Sequence, residues 1–263
     1  MTIIYNLSKL DSSIQNEILS NPKYVKWFSE FPNKLLAIEN DAKTIKGKKL
    51  NITTGIQYFV PYKISGQNVC AMAGIANCSE GCLNTAGRGA MGSVQLARLR
   101  KTLFFQQYFK EYKKLLQKEI KRLVTKARNK NTIPAIRLNG TSDIRWELLI
   151  WDIMVNSHYE YGVKWYDYTK IANRIIKDKQ VYDLTFSYSG VKEYQNFVKK
   201  ALDNKMKMAV VFRNKNNIPS EFMNIKTYDG DETDARFLDK PSSIIALYAK
   251  GKATKDTSGF VVD

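Results

Sequence analysis

Hydrophobic residues along this chain change period twice, and the changes divide it into segments. Between residue 1 and about residue 45 they recur at helical spacing: Leu10, Ile14, Ile18 and Leu19 share a face, Asp11 to Ser13 can cap the start, and Asn21-Pro22 marks a stop. Trp27, Phe28 and Phe31, just before Pro32, are expected to pack this helical cap onto a main domain spanning residues 46–263. Ile52 to Val60 then reads as a first strand, ended by Pro61. From Ser93 to Asn129 the spacing returns to three and four. Phe105, Tyr108, Phe109, Tyr112, Leu116, Ile120 and Leu123 make the apolar stripe of one long helix, straight or bent.

From Ile133 onward short apolar runs alternate with helical stretches. The runs are Ile133 to Leu138, Val163 to Tyr168, Val181 to Ser187, Met208 to Phe212 and, near the end, Ile244 to Ala249. Helices are expected from near Trp146, from the end of the second run to about Lys177, and from Val191 to Asn204. This rhythm predicts a parallel sheet, open or closed into a full or partial (β/α) barrel. In such folds functional groups gather at the carboxyl ends of strands. The runs here end in polar residues: Asn139-Gly-Thr-Ser-Asp143, Asp167-Tyr-Thr-Lys170, Ser187-Tyr-Ser189 and Arg213.

Composition adds a charge. The 263 residues carry a formal net charge of +17, which implies attraction to polyanions such as nucleic acid. Much of it lies between residues 98 and 130, opposite the apolar stripe, where DNA or RNA can lie and release counterions; a plain solvated face is the other reading. No apolar run reaches the length of a membrane span, so no membrane partner is expected. The first residues lack a basic leader and a cleavage site, which points to the cytoplasm.

All three cysteines, Cys70, Cys78 and Cys82, lie within thirteen positions, seven and then three residues apart. An odd, clustered set suits thiolate ligands of one metal centre better than disulfides. Iron–sulfur clusters and structural zinc both normally take four ligands. The fourth is either His158, the only histidine, completing a zinc site, or a small molecule on the open position of a cluster. Just downstream, in a glycine-rich loop, Arg88 can grip a carboxylate or phosphate. Near the C-terminus Asp229-Gly-Asp231-Glu-Thr-Asp234-Ala-Arg236 is an acidic knot that misses the EF-hand pattern. It suits a substrate hydroxyl or amino group, a magnesium ion, or an internal pair with Arg236.

Strand, cysteine loop, helix, then a strand ending in a glycine-containing turn: in this order the chain resembles the front half of a radical S-adenosylmethionine enzyme. The resemblance implies that Cys70, Cys78 and Cys82 hold a four-iron cluster. It further implies that Asn139, Gly140, Thr141, Ser142 and Asp143 contact the cofactor's amino acid part, and that Ser187 and Ser189 lie near its ribose. Asp167, Lys170, Arg213 and Asp231 would face a small-molecule or nucleic-acid substrate. The cysteine spacing departs from the usual three and two, Gly81 replaces an aromatic, and the family's glutamate is missing. Arg137-Leu-Asn-Gly-Thr-Ser-Asp143 and Tyr166-Asp-Tyr-Thr-Lys170, after a cysteine cluster, also resemble the phage family called gene product eighty-eight. The expectation is a radical-SAM-like α/β barrel with an N-terminal helical cap, an iron–sulfur cluster and S-adenosylmethionine. The alternative is a non-catalytic nucleic-acid-binding protein with a structural zinc or cluster.

Overall fold

The computed structural model describes residues 2–39, 44, 50–78, 89 and 91–263. Its strands are β1 (Ala37–Ile38), β2 (Ile52–Ile56), β3 (Ile133–Arg137), β4 (Lys164–Thr169), β5 (Tyr182–Ser187), β6 (Lys207–Phe212), β7 (Glu221–Phe222), β8 (Ile225–Asp229) and β9 (Ile244–Tyr248). They form one sheet in the order β1-β2-β3-β4-β5-β6-β9-β8-β7. β2 to β6 are parallel neighbours in chain order, β9 continues them beside β6, and β8 is parallel to β9. Antiparallel β1 and β7 form the two edges.

Right-handed crossovers that step repeatedly in one direction place the connecting helices on one face. Leu116, Ile120 and Leu123 of the Phe109–Asn129 helix share a core with Ile136, Trp165 and Tyr182, and Val198 and Ala201 of the Gln195–Asp203 helix pack with Phe186, Met208 and Ile244. Strand alternation sends Ile52, Ala135 and Tyr166 to the opposite face. There Ala235 and Phe237 cover them, from the connection between β8 and β9.

The parallel sheet agrees with the sequence pattern, but the expected barrel is not closed. Among the described residues the edge strands pair with nothing beyond their hairpin neighbours, and the 230–239 connection occupies the face that would be a barrel's interior. The expected basic helix is two helices, Gly92–Gln107 and Phe109–Asn129, because Tyr108 leaves helical geometry (φ −134°, ψ 52°). Its ring sits against Phe31 and Tyr5, with centroids 4.9 and 5.8 Å away. The short helix expected to about Lys177 is absent, replaced by turns that aim Arg174 into the core. At the N-terminus the helix expected before Asn21-Pro22 forms as Ser12–Ser20, capped by Asp11, and a second, Pro22–Phe28, capped by Asn21, follows where only a stop was expected. Tyr5, Leu10, Ile18 and Phe28 join the same core as Leu99 and Phe104.

Candidate functional site

The turn after β3 is built from the inside. Asn139 Oδ1 accepts from Ser142 Oγ, Ile144 N and Trp146 Nε1 at 2.8, 3.0 and 3.0 Å, while its Nδ2 donates to Ile144 O. One amide thus folds the whole Asn139-to-Trp146 segment. Gly140 is required by space: a Cβ there would lie 2.4 Å from Gln57 O. Thr141 Oγ1 donates to Phe59 O at 2.7 Å, and Asp143 N donates to Val69 O at 2.7 Å, so the turn is tied to the chain leading into the cysteine loop. Asp143 in turn accepts from Lys170 N at 2.7 Å and pairs with the buried Arg174 at 3.2 Å. Burial pushes its carboxyl up, against the lowering pull of Lys170 N–H and Arg174.

The segment from Cys70 to Cys78 follows as a series of tight turns, with Ala73 N donating to Cys70 O and Cys78 N donating to Ala73 O. Ser189 Oγ donates to Ala76 O at 2.9 Å, pinning this segment to the end of β5. Cys70 Sγ lies 3.9 Å from Thr141 O, and Cys78 Sγ 3.8 Å from Ala73 O.

Between this segment, the strand ends and the 230–234 loop lies a cavity of about 420 Å³. Cys70, Cys78, Asn139, Gly140, Thr141, Ser142, Asp143, Lys170, Ser187 and Asp231 all line it. Residues predicted from five separate stretches therefore meet at the carboxyl ends of parallel strands. Lys170 is almost wholly buried; its Nζ donates to Ser187 O and Tyr188 O at 3.1 and 3.2 Å and lies over the rings of Phe260 and Tyr194. Among the described residues no carboxylate forms an ion pair with it. Burial lowers its pKa, and the charges opposing that are those of Cys78, Asp143 and Cys70.

Other predicted residues lie elsewhere. Asp167 does not line the cavity; it is buried, accepting from Asn139 N at 2.7 Å and Tyr182 OH at 2.8 Å. Burial pushes its carboxyl up to about 7, against the Arg137 charge and these donors. Arg137 Nε lies 3.9 Å from Asp167, at the limit of an ion pair, while Nη1 makes the closer pair with Asp234 at 2.8 Å. Arg213 clamps the C-terminal segment, through Asp263 and the carbonyls of Thr254 and Asp256, and does not line the cavity. Ser189 is spent on Ala76. His158 lies on the Trp151–Tyr161 helix with Nδ1 3.0 Å from Val163 O, and is not part of the cavity wall. Cys82 and Arg88 lie outside the described residues. Among the described residues no group of three or more His, Cys, Asp or Glu is arranged to hold a metal ion.

Sequence reasoning assigned no role to Arg137, Tyr168, Tyr248 or Lys250, all of which line the cavity, as does Asp234 of the acidic knot. Arg137 carried a signal. It sits two positions after Ala135 in an otherwise apolar strand, on the face away from the helices, where a charge is uncommon without a partner.

Fold and cavity together define an open α/β protein with a pocket of small-molecule size at the strand ends. Residues 29–263 match gene product 88, and the chain belongs to that family, the phage family whose motifs its sequence shares. No curated protein and no solved structure matches it. No helix among the described residues is long and apolar enough to cross a membrane.

Proposed function

We propose that this chain is an iron–sulfur protein acting in the host cytoplasm, an enzyme of the radical S-adenosylmethionine type or a relative derived from one, working on a small molecule. The observation that carries the reading is that Cys70 and Cys78, from the one cysteine-rich stretch, line the same cavity as Lys170, a buried side chain with no carboxylate ion-pair partner among the described residues, whose ammonium form burial disfavours and negative charge on the two cysteines favours. Thiolates balance such a cation; neutral thiols do not. Two thiols on one cavity wall suit by their chemistry a soft, thiolate-held group, for which Cys82 would be the third ligand. When bound, a four-iron cluster of this kind supplies one electron to the ligand on its open iron.

The chain's own residues have other tasks. Asn139 spends its amide on shaping the turn, leaving the backbone of 140–143 as the wall presented to a cofactor. Lys170 fixes a positive charge beside the sulfurs. Phe260, Val211 and Leu247 keep the cavity largely apolar and so restrict water. A cavity of about 420 Å³ admits a ligand of drug size and excludes a folded macromolecule.

The test is iron and acid-labile sulfide analysis, with the visible spectrum, on protein purified without oxygen. About four of each per chain, lost in Cys82→Ser, with S-adenosylmethionine affinity lost in Cys70→Ala, is the expected result. Absence of metal with all three thiols freely alkylated overturns it.

A second reading rests on the Phe109–Asn129 helix. Lys114, Lys118, Lys121, Arg122 and Lys126 line one broad exposed groove that suits a nucleic-acid backbone. One zinc per chain in the same analysis would favour this non-catalytic alternative, with a structural metal site.

A further inference from the structure

We infer that Arg137 anchors an acidic group, carboxylate or phosphate, on the small molecule that the cavity takes. The inference rests on the small-molecule part of the proposed function, and not on the cluster.

Arg137 ends β3 and lines the cavity while only 4% exposed. Its guanidinium lies over the Tyr168 ring, 4.5 Å from the centroid, and Nη1 donates to Asp234 Oδ2 at 2.8 Å. These two contacts fix the plane of the group and occupy one corner. Nε is buried with no hydrogen-bond partner, since Asp167 Oδ1 at 3.9 Å is too far, and Nη2 makes no hydrogen bond among the described residues.

Nε and Nη2 form one edge of the guanidinium. That edge is the fork that takes two oxygens of one carboxylate or phosphate. A donor left orphaned on a buried cation is a rare arrangement that a ligand or an ordered water resolves. Two features favour an anion over water. Arg137 is only 4% exposed and its guanidinium lies on the Tyr168 ring, which strengthens a charge-assisted pair, and Asp231 on the same cavity wall is itself paired with Lys250. Because Tyr168 and Asp234 hold the plane in advance, little freedom is lost on binding.

The rival explanation is that Arg137 only ties Asp234, and with it the 230–239 connection, to the sheet. Calorimetric titration of the full chain with inorganic phosphate and, separately, with succinate distinguishes the two explanations and the two anion chemistries. We expect one of these probes to bind with one-to-one saturation. Arg137→Lys, which keeps the charge but loses the fork, should weaken it at least tenfold. Asp234→Asn, which frees the Nη1 corner, should tighten it several-fold, a gain that a purely structural arginine does not produce. The exposed Lys199→Gln control should leave it unchanged.

Equal affinity in wild type and Arg137→Lys, weakening in the Lys199→Gln control, or no saturable binding of either probe overturns the inference. If Arg137→Lys fails to fold, Asp234→Asn decides: no tightening there overturns it. Repeating the titration on Cys70→Ala separates this inference from the proposed function. Anion binding retained with iron lost supports Arg137 independently of the cluster, and anion binding absent in an iron-replete wild type overturns Arg137 alone.

Discussion

Asp167 shows how one buried side chain can set the pH response of the fold. Its carboxyl is enclosed on all sides, and burial raises its pKa from 3.8 to about 7 although Asn139 N–H and Tyr182 OH both donate to it. The folded protein therefore holds this proton over a range in which the unfolded chain has released it. Stability is lost as pH rises from about 4 to about 7 and is flat above. At about 1.4 kcal/mol per tenfold change in acidity, the loss is roughly 4 kcal/mol. Urea unfolding of wild type and Asp167→Asn at pH 5 and pH 8 checks this. Burial also raises Asp143, Asp183 and Asp239, so the decisive quantity is the difference between the two proteins. The variant should lose less stability than wild type between the two pH values; equal losses would remove Asp167 from the account. Gly140 offers a second test at this scale. A methyl group 2.4 Å from Gln57 O cannot be relieved by moving a flexible side chain, so Gly140→Ala should cost about 2 kcal/mol, seen as a lower urea midpoint at unchanged slope.

At the scale of elements, the stretch from residue 98 to residue 130 divides into parts with different uses. The sequence pattern marks its basic residues as one face, yet the first of them are spent inside the protein. Arg100 donates to Glu30 O and Phe31 O, and Lys101 Nζ donates to Leu35 O, so both hold the N-terminal segment against the Gly92–Gln107 helix. The partners lie about seventy residues earlier in the chain, which is why spacing alone did not reveal them. The break at Tyr108 was hidden for the same reason, since it follows from aromatic packing on Tyr5 and Phe31 and not from a glycine or proline. In the second helix Lys114, Lys118, Lys121, Arg122 and Lys126 fall at helical spacing along about 18 Å of one face. Two acids engage this row among the described residues: Glu119 is turned inward to the backbone of Leu35 and Leu36 and to Arg122, and Glu39 pairs with Lys126 at 2.7 Å. If nucleic acid lies there, Lys118→Gln, Lys121→Gln and Arg122→Gln together should reduce the slope of log affinity against log salt by about 2–3, with the fold intact. Arg100→Gln should instead lower stability and leave that slope unchanged. A slope indifferent to the triple substitution would leave this face as a solvated surface.

For the molecule as a whole, β3 to β6 and β9 were legible as runs between polar turns, whereas β7, β8 and the turns that replace the helix expected to about Lys177 were not. The gathering of Cys70, Asn139, Lys170, Ser187 and Asp231 at one end of the sheet was legible too. Closure was not legible, because it depends on what fills the face opposite the helices. That face is filled by the 230–239 connection, whose sequence reads only as an acidic turn. Arg236 is wholly buried there, with Nη2 donating to the carbonyls of Gly230 and Thr233, and Lys207 holds its own carbonyl from β6. Phe237 meets Tyr166 edge-on at 5.4 Å and anchors the loop on the strands. The same loop carries Asp231 and Asp234 to the cavity wall, so packing on this face sets the geometry of the Arg137 site. Phe237→Ala should therefore act at two places. It should cost about 2 kcal/mol of stability for a partly buried ring, and it should weaken binding of the phosphate or succinate probe several-fold at a temperature where the variant is fully folded. Leu238→Ala, one position further on and 53% exposed, should do neither. A Phe237→Ala protein that is less stable but binds the probe as wild type does would mean that the loop is held for the cavity by Arg236 and Lys207 rather than by its contact with the sheet.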